Sequence, residues 1–134
     1  MNVIEVAAGL IEDHGRYLVA KRAPGVHLAG FWEFPGGKRE AGESFEECLR
    51  RELHEELNVR IDLPVSFRIV RHAYPDKTVE LHFFRCTIQE GTAVALGSSE
   101  IRWVYPHEMK HLSFPPADQT IVDALLQNDP GIRI

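Results

Sequence analysis

The segment Ser44-Phe45-Glu46-Glu47 constrains the fold of this chain more than any other, because it carries both halves of a helix start. A serine followed three residues later by glutamate forms a capping box, in which the hydroxyl accepts from an early helix amide and the carboxylate reaches back to the serine amide. The spacing therefore predicts a helix from Phe45. It ends near Leu57, since Asn58 tolerates the left-handed conformation used just beyond helix ends. At about 100° per residue, Phe45, Cys48, Leu49, Leu53 and Leu57 share one half of the helical wheel and face a core. Glu52 and Glu56 project among these apolar positions and Glu55 sits at their edge beside Cys48, whereas Glu47, Arg50 and His54 point away.

Solvated charge favours the outward positions, so carboxylates on the core side need a cause. One is ordinary ion pairing along a half-exposed helix. The other is a metal: like charges brought together raise one another's pKa and repel unless a cation stands between them. A hard divalent ion with oxygen ligands meets that need, and Mg²⁺ fits best because a few carboxylates and the phosphates of a substrate usually hold it. Mn²⁺ is expected to substitute.

Around this helix the pattern alternates between extended and turn-forming segments. Val3 to Glu12 and Arg16 to Arg22 read as a hairpin about Asp13-His14-Gly15. Ala23 to Gly30 reads as a loop, Phe31 to Phe34 as a short strand, and Pro35-Gly36-Gly37 as a sharp turn. Val59 to His72 and Thr78 to Ile88 are extended runs that should pair across the Tyr74-Pro75-Asp76-Lys77 turn. Ile101 to Tyr105 is a further strand and Pro106 to His111 a short helical turn. Ala117 to Gln127 is a final helix whose apolar face carries Ile121, Val122, Leu125 and Leu126.

The 134 residues fit one domain, 1–134, long enough to bury a core without staples. The net charge of −5 disfavours a broad phosphate-tracking surface for polymeric nucleic acid, although a metal would let the chain bind a small anion. The N-terminus lacks a basic region followed by an apolar run, and no stretch is long and apolar enough to span a bilayer, so a cytoplasmic location without membrane contact is expected. Cys48 and Cys86 lack partners at metal spacing and are expected to be reduced, buried and structural.

Gly37, then Glu43 after five residues, then Arg51-Glu52-Leu53-His54-Glu55-Glu56 after seven more, then Val59, resembles the signature box of the Nudix hydrolases. With each charged residue type at about 6% and Gly at about 7% of average composition, six such fixed positions coincide by chance about 10⁻⁷ of the time per starting point. One departure is Asn58, where the family pattern has Gly; both tolerate a left-handed helix end. The resemblance to MutT-type members extends to Lys21-Arg22-Ala23, Trp32-Glu33-Phe34-Pro35-Gly36-Gly37-Lys38, Pro75-Asp76, Trp103 and Phe114-Pro115-Pro116-Ala117-Asp118.

This resemblance implies an α/β fold: an α/β/α sandwich around a central mixed β-sheet. It further implies hydrolysis of a nucleoside triphosphate to monophosphate and pyrophosphate, by substitution at the β-phosphorus. The metal ligands it implies are the carbonyl of Gly36 with Glu52 and Glu56, and Glu55 directly or through water. Arg51 would orient Glu52 and Glu43 would support the loop. The general base stays open. MutT-like chains often carry an acid about six positions before the Trp that matches Trp103; here Gly97 stands there, and the nearest acid is Glu100. Either Glu100 moves in, or Glu52 and the metals suffice.

For the substrate, Arg22 and Lys38 are candidates to hold phosphate, and Lys77 matches a base- or sugar-contacting position. Phe34, Trp32 and Phe83 are core candidates, one of which is expected to stack a nucleobase. Asp118 takes the position that reads the base edge in MutT-type enzymes, and it is also suited to capping the last helix. The leading substrate is an oxidised purine triphosphate such as 8-oxo-dGTP, the alternative CTP or a modified pyrimidine triphosphate. A non-catalytic Nudix-fold ligand-binding module is the reading from another class, though such modules usually lose metal glutamates. The protein is expected to act as a monomer or homodimer.

Overall fold

The computed structural model describes residues 2–127. The helix read from the capping box is α1, Phe45–Leu57. The Ser44 hydroxyl accepts from the Glu47 amide at 3.0 Å, and the Glu47 carboxylate accepts from the Ser44 amide at 2.7 Å. Asn58 ends the helix at φ 58°, ψ 41°, the left-handed geometry that Asn adopts at modest cost. Leu49, Leu53 and Leu57 are buried, each contributing about 1.5–3 kcal/mol by leaving water.

The sheet is built around β1, Val3–Asp13. One edge of β1 pairs in parallel with β7, Thr78–Cys86, from Val3↔Thr78 to Ile11↔Cys86. Its other edge is shared. The tip pairs with β2, Arg16–Lys21, as Glu12↔Tyr17 and Asp13↔Arg16, while Val6 to Ala8 pair with β4, Gly36–Lys38. The expected hairpin is therefore joined only at its tip. The expected sharp turn at Pro35-Gly36-Gly37 is instead the entry to a strand, with the Gly9 amide donating to the Pro35 carbonyl at 2.8 Å.

Strand β3 is short, Trp32–Glu33, and lies beside β2. The extended run after α1 divides into β5, Arg60–Ile61, and β6, Val65–Ala73. Strand β6 pairs antiparallel with β7 across the expected turn. Strand β8, Ile88–Glu90, pairs with β5, and β9, Glu100–Val104, pairs with β2. A 3₁₀ turn over Pro106–His111 leads to α2, Pro116–Gln127.

Because side chains alternate across a strand, the long strands feed both faces. Ala7 and Ile11 of β1, Leu18 of β2 and Phe84 of β7 pack with α1. Ala8, Leu10, Tyr17, Val19 and Phe83 pack on the opposite side with Ile121, Val122 and Leu125 of α2. Burial on both faces explains the near-continuous apolar runs in β1 and β2, and the result is the expected α/β/α sandwich on a mixed sheet. Cys48 and Cys86 are free and buried, and burial pushes their thiols up to about 11 and about 12. Among the described residues no helix is long and apolar enough to cross a membrane.

Candidate active site

The glutamates of α1 are organised by one guanidinium. Arg51 presents Nε and Nη2 to the two oxygens of Glu43 at 3.0 and 2.6 Å, a bidentate charge-assisted pair. Its Nη1 donates to Glu52 at 3.0 Å and Glu55 at 3.1 Å, and Nη2 also reaches the Lys38 carbonyl at 3.0 Å. Arg51 thus ties the loop before α1 to the helix face that carries the acids. The guanidinium holds the Glu43 carboxyl down at about 2. The Glu43 carboxylate also accepts from the Glu40 amide at 2.9 Å, which fixes the loop turn.

Glu52 lies against β4. A Cβ placed on Gly37 would fall 2.2 Å from the Glu52 carboxyl carbon, and one on Gly36 would fall 1.9 Å from the Ala7 carbonyl oxygen. Only glycine lets this backbone pass between β1 and the carboxylate. Glu56, one turn further along α1, is pushed up to about 8, first by burial and then by the charges of Glu52, Glu33 and Glu55.

Among the described residues no three His, Cys, Asp or Glu side chains are grouped so that they could hold a metal ion by themselves. The donor set nevertheless fits a hard divalent cation. Its members are carboxylates, they repel one another, and such an ion needs few protein ligands when substrate phosphates complete its shell.

A cavity of about 340 Å³ opens beside this face, within the size range of small-molecule sites. Its wall includes Gly36, Gly37, Lys38 and Glu56 of β4 and α1, and Phe34, Ala117 and Asp118 on the side of α2. Glu52, packed against Gly37, and Glu55 are not among the residues that line it. Asp118 is 5% exposed; it lies in the first turn of α2, not at its cap, because the helix begins at Pro116. Its Oδ2 accepts from the Phe34 amide at 3.1 Å. Burial raises the Asp118 carboxyl to about 7 against the stabilising effect of that N–H. Phe34 is buried, stacked on Phe114 and edge-on to Phe83; it is a core residue with one side on the cavity.

The cationic candidates are placed differently from one another. The Arg22 guanidinium is engaged by Glu33 at 2.6 Å and by the His27 carbonyl at 2.6 Å. Lys38 is exposed at the rim. Lys77 lines the cavity with its amine 6.0 Å from the Tyr74 ring centre. Glu100 is not among the cavity residues; it pairs with Arg102 at 3.0 Å on β9.

Two groups of cavity residues escaped sequence reasoning. Glu33 sits in the wall, with its carboxyl raised by burial and lowered by Arg22. It belongs to the Trp32-Glu33-Phe34 run, where alternation would have opposed it to the buried Trp32. His72 and Tyr74 pack edge to face at 4.6 Å, and His27 meets Tyr74 at 5.1 Å. The two-residue step from Val70 through His72 to Tyr74 was the available signal.

The comparisons agree with this geometry. A family model described as NUDIX domain matches residues 6–124. The 8-oxo-dGTP diphosphatase of Haemophilus influenzae is 33% identical over 125 residues, covering 92% of each chain. The CTP pyrophosphohydrolase of Escherichia coli is 32% identical over 126 residues, covering 94% of this chain and 93% of its own. The solution structure of the E. coli ORF135 protein superposes with a TM-score of 0.82 at 31% identity, covering 98% of this chain and 94% of that one. A matching model over most of the chain, full-length relatives and the Arg51-centred acidic helix make this protein a Nudix pyrophosphohydrolase of the MutT type.

Proposed function

We propose that this enzyme hydrolyses a nucleoside triphosphate to the monophosphate and pyrophosphate with Mg²⁺, and that oxidised purine nucleotides such as 8-oxo-dGTP are its leading substrates. The observation that carries the reading is one cavity whose wall joins Gly36, Gly37 and Glu56, next to the glutamates that Arg51 ties on α1, to a buried carboxyl, Asp118. Gly36, Glu52 and Glu56, joined by Glu55, would hold Mg²⁺, which when bound neutralises phosphate oxygens and positions a water. Glu52, oriented by Arg51, would accept the proton of the attacking water as the water oxygen bonds to the β-phosphorus. The bond from the β-phosphorus to the bridging oxygen breaks, and the monophosphate leaves with that oxygen. Lys38 at the rim is suited to the departing charge. Asp118 faces the base edge, where its carboxyl donates a hydrogen bond when protonated and accepts one when ionised.

A second reading, CTP or a modified pyrimidine triphosphate, draws on the similar identity to the E. coli CTP pyrophosphohydrolase. The location proposed is the cytoplasm and the partner a free nucleotide. Hydrolysis in ¹⁸O-water tests the reaction: label is expected in pyrophosphate with none in the monophosphate, and chelation is expected to stop turnover. Label in the monophosphate, or turnover that survives chelation, would refute it. Competition between 8-oxo-dGTP and CTP in one mixture would separate the substrate readings.

A further inference from the structure

The segment between β8 and β9 is strapped onto the end of α1. The Val94 amide donates to the Leu57 carbonyl at 3.0 Å and the Leu96 amide to the Glu56 carbonyl at 2.9 Å, satisfying acceptors that a last helical turn leaves open. At its other end the Ser99 amide donates to the Lys21 carbonyl at 3.2 Å. Held between these bonds, Gly97 rests on the side chain of Glu56. A Cβ at Gly97 would fall 2.8 Å from Glu56 Cγ, 3.2 Å from its Cβ and 3.2 Å from its Cδ. The backbone of Gly97 lies outside the left-handed region. Alanine would therefore suit its conformation, and what the site refuses is volume.

We propose that Gly97 is a positioning residue for Glu56: its bare Cα leaves the space along which the Glu56 side chain lies, directing that carboxyl to the cavity that both residues line. The same contact leaves no room for a loop carboxylate at this position, so a glutamate installed at residue 97 displaces Glu56 in place of assisting it. This inference rests on the metal reading proposed above.

Binding of Mn²⁺ to the substrate-free protein, followed by the loss of the free-ion electron paramagnetic resonance signal, tests it without turnover. Gly97→Ala is expected to weaken Mn²⁺ binding about 10-fold or more, the scale of change when support to a ligand is lost. Added to Glu56→Ala, it is expected to cause no further loss, because the side chain it displaces is gone. Gly97→Glu is expected to lower both Mn²⁺ affinity and hydrolysis. Wild-type affinity in Gly97→Ala, an undiminished further loss in the double variant, or a gain of turnover in Gly97→Glu would each overturn the proposal. If Gly97→Ala fails to fold, the double variant must recover the fold; failure to recover it would also overturn the proposal. A wild-type protein that binds no Mn²⁺ would overturn the metal reading itself.

Discussion

Helices α1 and α2 each bring a buried carboxyl to the cavity, and the two share Glu33 and Arg22 as neighbours but differ in the rest of their company. Glu56 is raised by burial and then by three other carboxylates, Glu52, Glu33 and Glu55, with Arg51 committed to Glu43, Glu52 and Glu55 nearby. Asp118 is raised first by burial and less by the charge of Glu33, against the Phe34 N–H that it accepts and the nearby Arg22 guanidinium. The crowded end has an excess of negative charge that a cation relieves, which suits phosphate chemistry. The α2 end has a buried carboxyl in the cavity wall without that crowd of acids, able to donate when protonated and accept when ionised, which suits recognition of a base edge. One functional group is given two uses by its surroundings.

Removing a carboxylate from the crowded end has the largest expected effect. Glu52→Gln should lower turnover by about 10²-fold or more on every triphosphate, since the proposed base and metal ligand is lost, while circular dichroism shows the fold retained. Near-normal turnover at saturating Mg²⁺ would break the comparison by showing that the crowded acids are structural.

At the α2 end a smaller effect is expected, on stability. The folded carboxyl of Asp118, at about 7, lies above the unfolded value of about 3.9. The fold therefore favours its protonated form, and this contribution to stability is fully present below about pH 4 and lost as the pH rises through about 7. Asp118→Asn stays neutral throughout. The stability difference between the wild type and this variant, from urea unfolding, should shift against the wild type between pH 4 and 7. A constant difference would show that Asp118 is not desolvated.

The smallest effect belongs to Glu100. Its pairing with Arg102 on β9 is half-exposed, and such pairs contribute about 0–1 kcal/mol. Glu100→Gln should change turnover by less than about threefold, far below the loss at Glu52. An equal loss would bring Glu100 into the site as a loop base.

How far these features could be read from the chain follows from how local their causes are. Helix α1 was legible in full, since Ser44, Glu47 and Asn58 act on their own neighbours and its leucines repeat at helical spacing. The carboxylates of α1 were legible for the same reason. Strand β4 was not, because Gly36-Gly37 reads as a turn until the backbone of Ala7 and Ala8 is brought beside it. The parallel pairing of β1 with β7 joins residues 75 apart, as in Val3↔Thr78, and leaves no local trace. Arg22 was legible as a candidate to hold phosphate and does line the cavity, but its ion pair with Glu33, set by the pairing of β2 with β3, was not. Asp118 was legible as a polar residue of special place, whereas its bond to Phe34 spans 84 positions.

The most direct test of the division between the two ends is kcat/KM for Asp118→Ala across a panel of oxidised and ordinary purine and pyrimidine triphosphates, with thermal melting alongside. Loss of the carboxyl leaves the base edge unpaired, so the preferred nucleotide should lose about 10²-fold or more while poor substrates change little. Selectivity would then flatten, in contrast to the uniform loss expected for Glu52→Gln. An equal loss on every nucleotide together with a lowered melting temperature would contradict the account, leaving Asp118 as a structural tie between α2 and Phe34.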